Sequence, residues 1–349
     1  MATTDDGSPT RLTFREEVKD AVTTRAALMV GGVLGLMIAF IASYAGAFHA
    51  PKATDVPLGV VAPARSGGQL VAKLDRLPGS PLAPRTVASE RRARQQIADR
   101  TIDAALIVDP RGTTDRLLVA SGGGASLSQA VELIVRAAEK SQQRTVRTVD
   151  VTPAATGDAR SLTSFYLVVG WCVGGYLCAA ILAISAGARP ANGARAIIRL
   201  AALALYAIVA GLAGAIVVAP VLGALPGSIV GLWGLGALVV FAVGATTLAF
   251  QALMGVIGIG LAILVIVVLG NPSAGGAYPY PLLPPFWQAI GPALPPGAGT
   301  WAARSVAYFR GHAVTGSLLV LSAWAVGGVL VTTVLATLRG NGGTRRTGA

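Results

Sequence analysis

The chain has 349 residues, of which 53% are hydrophobic and 13% charged, and its formal net charge is +12. Soluble globular domains carry about 25% charged residues, so this composition, with a mean hydropathy of +0.65, excludes an ordinary soluble protein and indicates an integral membrane protein. The net charge does not predict nucleic-acid binding, because 16 of the 28 Lys and Arg residues lie in residues 49–160 beside 11 acidic residues. No nucleic-acid partner is expected.

Residues 1–25 predict a cytoplasmic amino-terminal segment. From Thr10 to Arg25, apolar residues such as Phe14 and Val18 recur at helical spacing, with charged residues between them. Either an amphipathic helix on the membrane surface or a polar flank of the next helix fits this pattern. A cleavable signal peptide does not fit, since the flank is mixed in charge and the apolar run that follows is too long.

The first membrane helix is predicted over residues 26–48, a run without charges. Residues 49–160 then have the composition of a soluble domain. Strands are predicted at 56–61, 85–87, 103–108, 116–120 and 145–151, and helices at 69–77, 90–100 and 126–140, with Ser89 as a helix cap. Strands that alternate with helices predict a small α/β domain.

Residues 161–338 predict a second membrane region, because residues 200–303 contain no Lys, Arg, Asp or Glu. Its helices are predicted over residues 161–187, 198–219, 228–250, 252–270 and 313–338, with a Pro-rich loop at 271–312 and a tail at 339–349. The predicted fold class is therefore an α-helical integral membrane protein with six transmembrane helices. An extracytoplasmic α/β domain lies between helices 1 and 2, and the Pro-rich segment between helices 5 and 6 is either re-entrant or an external loop.

Arginine in the short loops predicts the orientation. Arg189, Arg195 and Arg199 flank one short loop and Arg339 follows the last helix, whereas the short segments on the other side carry only Arg304 and Arg310. By the positive-inside rule both termini are cytoplasmic and residues 49–160 are external.

Several motifs are weak. Gly255, Gly258 and Gly260 resemble part of a dinucleotide-binding fingerprint, but they lie in an apolar run and predict close helix packing. No phosphate-binding loop, catalytic constellation or set of metal ligands is visible, so neither an enzyme nor a cofactor in this chain is expected. The apolar helices contain no ionisable residue that binds a coupling ion, which disfavours an ion-coupled carrier.

The Pro-rich segment predicts a structured cap. Prolines prevent one continuous helix, and the aromatic residues suit a membrane interface, so short helices are expected at 283–290 and 299–309, covering the outer mouth. An ordinary external loop is the alternative. Gly275 and Gly276 suggest a hinge, and Arg304, the first charge after the neutral run, is expected to mark the water boundary. The candidate gate residues are Asn271, Pro272, Gly275, Gly276, Pro284, Phe286, Trp287, Pro292, Pro295, Pro296 and Arg304.

This plan of one helix, a large domain and five further helices resembles the ABC-2 type permeases, in particular the YhgE/Pip (phage infection protein) group. The run Asn271-Pro-Ser-Ala-Gly-Gly-Ala-Tyr-Pro279, followed by Phe286-Trp287 and Leu294-Pro-Pro296, is similar to the loop between the last two helices of that group. Residues 157–176 also resemble the start of its second helix. Residues 52–156 match only in general plan.

The resemblance implies a permease subunit of an exporter in the bacterial plasma membrane. ATP is then bound by a separate ATPase subunit, and the permease pairs with a second copy or a related permease within membrane lipid. Such an ATPase must contact cytoplasmic elements, and the candidates are Phe14, Arg15, Glu16, Arg189 and Arg195. The alternative is a non-transport envelope protein, a receptor or assembly scaffold, that binds through the external domain.

Overall fold

The computed structural model describes Thr13 and residues 23–346. It is mostly helical, at 67%, and it divides into two compact units, Met1–Ala42 and Ser43–Ala349. The predicted amphipathic segment, with its coupling candidates Phe14, Arg15 and Glu16, lies outside the described residues. Helix α1, Thr24–Phe48, forms where the first membrane helix is predicted.

A five-stranded sheet with three helices follows α1. In chain order the elements are β1 Val56–Val61, α2 Ala64–Asp75, β2 Leu82–Thr86, α3 Glu90–Ala98, β3 Ala104–Ile107, β4 Thr114–Val119, α4 Ala125–Lys140 and β5 Thr145–Asp150. The strand order is β2-β1-β3-β4-β5. All neighbouring strands are parallel except β3 and β4. The predicted α/β character is therefore present.

The sheet has a core on each face, since alternate residues of a strand point to opposite sides. Leu58 and Leu106 pack with residues of α2 and α4 on one face. On the other face Ala105 and Ile107 pack with Ile97 of α3. Burial on both faces explains why all four residues of β3 are apolar.

Some predicted boundaries in this region differ from the observed ones. Helix α2 begins at Ala64 rather than residue 69, because Pro63 stands at its amino-terminal cap and the helix runs through Gly67 and Gly68, two residues of low helix propensity. Strand β2 covers Leu82–Thr86, three residues before the predicted start at 85. Ser89 caps α3 as predicted and accepts a hydrogen bond from the Arg92 amide at 3.3 Å.

The remaining elements are α5 Thr163–Ala186, α6 Gly193–Ile216, α7 Ile229–Met254, α8 Ile257–Gly270, α9 Pro285–Ile290, α10 Pro295–Tyr308 and α11 Thr315–Arg346. Five described helices are long and apolar enough to cross a membrane, namely parts of α1 and α11 together with α5, α6 and α7. This confirms a multi-pass helical membrane protein in outline.

Six spanning helices are predicted, but only five of the described helices are long enough to cross a membrane. Gly255 ends α7 with a φ of +66°, so α7 continues to Met254 instead of stopping at residue 250. Helix α8 begins at Ile257 and, at 1.5 Å per residue, is only about 21 Å long. A bilayer core is about 30 Å thick, so α8 is a short apolar helix beside the five long ones.

Glycines let the bundle helices approach closely. A Cβ atom on Gly175 of α5 would lie 2.7 Å from the Val240 carbonyl oxygen of α7, and one on Gly211 of α6 would lie 2.5 Å from the Ala237 amide nitrogen. A Cβ atom on Gly258 would overlap the backbone of Phe250. Of the three glycines that predict close helix packing, Gly258 is observed in such a contact, whereas Gly255 lies in the turn after α7.

Candidate functional site

The 271–312 segment packs against both the sheet and the helix bundle. Leu282 is buried in the core on one face of the sheet and Phe309 in the core on the other. Ser126 Oγ of α4 donates to the Ala277 carbonyl oxygen at 2.8 Å. Helix α10 meanwhile contributes Ala298 and Ala302 to the core of the bundle. The segment therefore joins the α/β region to the membrane helices.

Arg304 holds the segment in shape from inside. Its side chain is 3% exposed, its Nη1 donates to the Gly275 carbonyl oxygen at 2.6 Å, and its Nη2 donates to the oxygens of Gly276 at 2.7 Å and Ser161 at 3.1 Å. The expectation that Arg304 marks a water boundary is wrong, because the side chain is buried among the 271–312 segment and the residues before α5. It acts as a clamp on three backbone carbonyl groups.

The Gly275–Gly276 pair is tightly held in this conformation. Gly275 has a φ of +69°, which disfavours any residue with a Cβ atom. A Cβ atom on Gly276 would overlap the ring of Phe165 in α5. A hinge at this pair stays a prediction, and any such motion must break the hydrogen bonds from Arg304.

The two short helices predicted in the segment are present as α9 and α10. Their gating role stays a prediction, but the structure places every candidate. The buried ones are Asn271, Pro272, Gly275, Gly276, Pro295, Pro296 and Arg304; Pro284 and Trp287 are half-buried; Phe286 and Pro292 are exposed. Most of these residues therefore stabilise the segment from within.

A second polar contact ties the start of α5 to the end of α10. Asp158 is buried, its Oδ1 accepts hydrogen bonds from the Thr163 amide at 2.9 Å and hydroxyl at 2.8 Å, and its Oδ2 accepts one from the Tyr308 hydroxyl at 2.6 Å. Burial and this hydrogen bond raise the pKa of Tyr308. Sequence reasoning missed the contact, because the two residues lie far apart in the chain and neither belongs to a motif.

A cavity of about 240 Å³ lies where the sheet meets the segment. Its walls carry Arg100, Asp103, Tyr280, Gln288, Trp301 and Arg304. Arg100 stacks on Trp301, with its guanidinium carbon 3.4 Å from the ring centroid, and its Nη1 donates to the Trp301 carbonyl oxygen at 2.9 Å and the Ser305 hydroxyl at 2.7 Å. Sequence reasoning also missed this site. The only signal was a pair of opposite charges, Arg100 and Asp103, just before a wholly apolar strand.

Several arginines lie near the carboxyl end of α5. This end is about 36 Å, the length of the helix, from the amino end beside Asp158. Arg189 Nη2 donates to the Leu253 carbonyl oxygen at 3.2 Å, and Arg339 Nη2 donates to the Ala252 carbonyl oxygen. Both acceptor residues lie at the carboxyl end of α7. Arg199 Nη2 donates to the Ala186 carbonyl oxygen at 2.6 Å. We call Arg189, Arg195, Arg199 and Arg339 the basic end.

The basic end has no acidic counterpart in the second half of the chain, because no Asp or Glu follows Asp158. Of the two coupling candidates described, Arg189 lies on the α7 turn, and Arg195 is exposed in the first turn of α6. The turn beside them exposes apolar side chains, Leu253, Met254, Val256 and Ile257. This end therefore combines positive charge with an exposed apolar turn.

The described residues contain no group of three or more His, Cys, Asp or Glu side chains placed to hold a metal ion. Comparison of the chain with family models, with curated proteins and with solved structures finds no match. The function of the chain is therefore inferred from the geometry of its described residues.

Proposed function

We propose that this chain is the membrane-spanning subunit of an ABC-2 type exporter in a bacterial plasma membrane, driven by an ATPase on a separate chain. The observation that carries the proposal is the uncharged interior of the bundle. Among the described residues of α5, α6, α7 and α11, the buried charged side chain is Arg199, and it lies at the basic end. A carrier driven by protons or ions usually keeps an ionisable group inside the membrane, so this interior favours an energy source outside the chain.

The basic end is the surface that we assign to the ATPase subunit. It offers guanidinium groups without acidic partners from the second half of the chain, next to an exposed apolar turn. Charge complementarity then favours a partner with an acidic surface. Arg189 contacts the turn directly, so force applied there reaches the carboxyl end of α7, the helix that packs against α5, α6 and α11.

The experiment is capture of the full-length chain from cross-linked native membranes, with quantitative mass spectrometry. Replacement of Arg189 and Arg195 by Glu is expected to reduce the captured ATPase about tenfold or more, since two attractive contacts become repulsive. The matched control replaces Arg91 and Arg92 of α3, two exposed arginines in the α/β region, by Glu. Equal ATPase yield from the two double variants contradicts the assignment.

A second candidate function is a non-transport envelope protein that binds a partner through the α/β domain. The observation that favours it is the packing of Leu282 and Phe309 in the two cores of the sheet, which attaches the α/β domain to the helix bundle. A receptor that binds its partner through this domain needs such an attachment. Capture of a reproducible partner by the wild-type chain, with no ATPase among the captured proteins, supports this candidate over the exporter.

A further inference from the structure

The cavity between the sheet and the 271–312 segment is larger than a site for one structural water. Its volume is about 240 Å³, whereas one water needs about 10–15 Å³ on the same measure. Polar and charged side chains are part of its lining, so the cavity is not a dry apolar void. A site of this size and polarity suits a small polar ligand.

The two guanidinium groups of the cavity have no carboxylate of a described residue within ion-pair distance, and Asp103 attracts Arg100 and Asp158 attracts Arg304 only from farther away. Neither Arg100 nor Arg304 forms an ion pair with a carboxylate within the described part of the chain. Arg304 is bound only to backbone carbonyl oxygens, and Arg100 to a carbonyl oxygen and a hydroxyl group. An enclosed charge without an opposite partner is costly, so a bound anion would stabilise the folded chain.

The polar atoms left without partners in the cavity are hydrogen-bond donors. Arg304 Nε and the Tyr280 hydroxyl are both buried and make no hydrogen bond to a described residue. Tyr280 is stacked on Trp301, with ring centroids 6.0 Å apart, so its hydroxyl is held in place. Both residues line the cavity, and a buried donor without a partner calls for an acceptor ligand.

Two acidic side chains also line the cavity, and neither neutralises the guanidinium groups at close range. Asp55 is exposed at the rim, in contact with water. Asp103 is half-buried on the wall, and burial raises its pKa to about 6, with Arg100 acting in the opposite direction. A carboxyl group that protonates near this pH repels an anion less as the solution becomes more acidic.

We propose that this cavity binds a small oxyanion of the phosphate or sulfate type through the guanidinium groups of Arg100 and Arg304 and the hydroxyl of Tyr280. A phosphate oxyanion has two sources, free phosphate and the headgroup of an anionic lipid, and both present the same acceptor oxygens. The site does not depend on transport or on an ATPase partner.

Calorimetric titration of the full-length chain in a phosphate-free detergent tests the site, with inorganic phosphate as the probe. Tyr280→Phe keeps the ring and removes the hydroxyl, and we expect phosphate to bind about tenfold more weakly, as for loss of one hydrogen bond to a charged group. Tyr278→Phe is the matched control, since Tyr278 packs against Phe48 and the sheet core and does not line the cavity. Arg100→Gln is expected to weaken binding about a hundredfold.

A second arm separates the two sources. The chain is placed in nanodiscs of phosphatidylcholine with or without phosphatidylglycerol, and retained phosphatidylglycerol is measured by mass spectrometry for the wild type and Tyr280→Phe. Selective loss of retained lipid in Tyr280→Phe assigns the phosphate to a headgroup. Binding of free phosphate that Tyr280→Phe weakens assigns it to the soluble ion.

The proposal is overturned if neither probe binds, which leaves water alone in the cavity. It is equally overturned if phosphate binds wild type, Tyr280→Phe and Arg100→Gln alike, because the anion then lies elsewhere. Each variant is first shown to unfold at the wild-type temperature without phosphate, and Tyr280→Phe keeps the test decisive if Arg100→Gln does not fold.

The pH dependence is a further arm, read with sulfate because its charge does not change between pH 5.5 and 7.5. The charged and titratable groups that line the cavity with Asp103 are Arg100, Arg304, Tyr280 and Asp55, and Arg100 acts on it directly. Since protonation of Asp103 removes the nearest negative charge, wild-type chain is expected to bind sulfate more tightly at pH 5.5. Asp103→Asn is expected to bind it equally at both values, and a dependence that persists in this variant assigns it to another group.

Discussion

The Arg304 clamp predicts one large effect on stability. Arg304→Met keeps the aliphatic stem and removes the guanidinium group, which leaves the carbonyl oxygens of Gly275, Gly276 and Ser161 without their donor in a buried site. A hydrogen bond to a charged group contributes about 1.5–3 kcal/mol. Part of the loss is offset because the guanidinium no longer has to be desolvated, so the expected net loss is about 3–5 kcal/mol.

Thermal unfolding in detergent, followed by tryptophan fluorescence, measures this loss. For a chain of this size the expected drop in Tm is about 10 °C. Arg310→Met is the matched control, because Arg310 is an exposed arginine in the same segment. If Arg304→Met and Arg310→Met unfold within about 2 °C of each other, the three hydrogen bonds of the clamp contribute little and the reasoning is refuted.

Three further predictions concern packing, pH and orientation. Gly276→Ala places a Cβ atom against the Phe165 ring and is expected to lower the free energy of unfolding by about 1–3 kcal/mol, whereas Gly170→Ala, with open space at its Cβ position, is expected to be neutral; equal Tm values would contradict this. Burial and the neighbouring Asp115 raise the pKa of Glu139 to about 7, so the folded state binds a proton that the unfolded state releases near pH 4.5 and loses stability as the pH rises from about 4.5 to 7. Glu139→Gln should remove that part of the pH dependence of Tm, and an unchanged pH dependence would assign it to another group. In a chain without its native cysteines, Cys at the exposed position Ala98 should be labelled in intact cells and Cys at the exposed position Ala194 only after permeabilisation, and the reverse pattern would invert the proposed orientation.

The membrane helices were predictable because their signal is local. A run of about 20 apolar residues must cross or be buried, and the five long helices follow from composition alone. The predicted fifth helix, residues 252–270, is observed as the shorter α8, because α7 continues to Met254 and Gly255 adopts a positive φ that hydropathy does not show. The turn at Gly255 separates the long helix α7 from the short helix α8, and composition does not show where that turn falls.

The site was less predictable because its contacts connect distant parts of the chain. The Pro-rich segment and its short helices could be inferred from backbone chemistry. That Arg304 faces Ser161, or that Arg100 reaches Trp301, depends on how the sheet docks on the segment, and no local pattern encodes it. A lone charge after a long neutral run has two explanations, a water boundary or a buried clamp, and only the fold distinguishes them.

The central claim is that a separate ATPase drives this chain, and ATP hydrolysis by the captured complex tests it most directly. The wild-type chain, purified gently from its native membrane into nanodiscs, is expected to carry vanadate-sensitive ATP hydrolysis that co-elutes with it. The Arg189→Glu, Arg195→Glu double variant should elute without that activity, while the Arg91→Glu, Arg92→Glu control keeps it. Wild-type complex that elutes with no ATP hydrolysis above background contradicts the exporter and leaves the membrane-anchored binding protein as the better account.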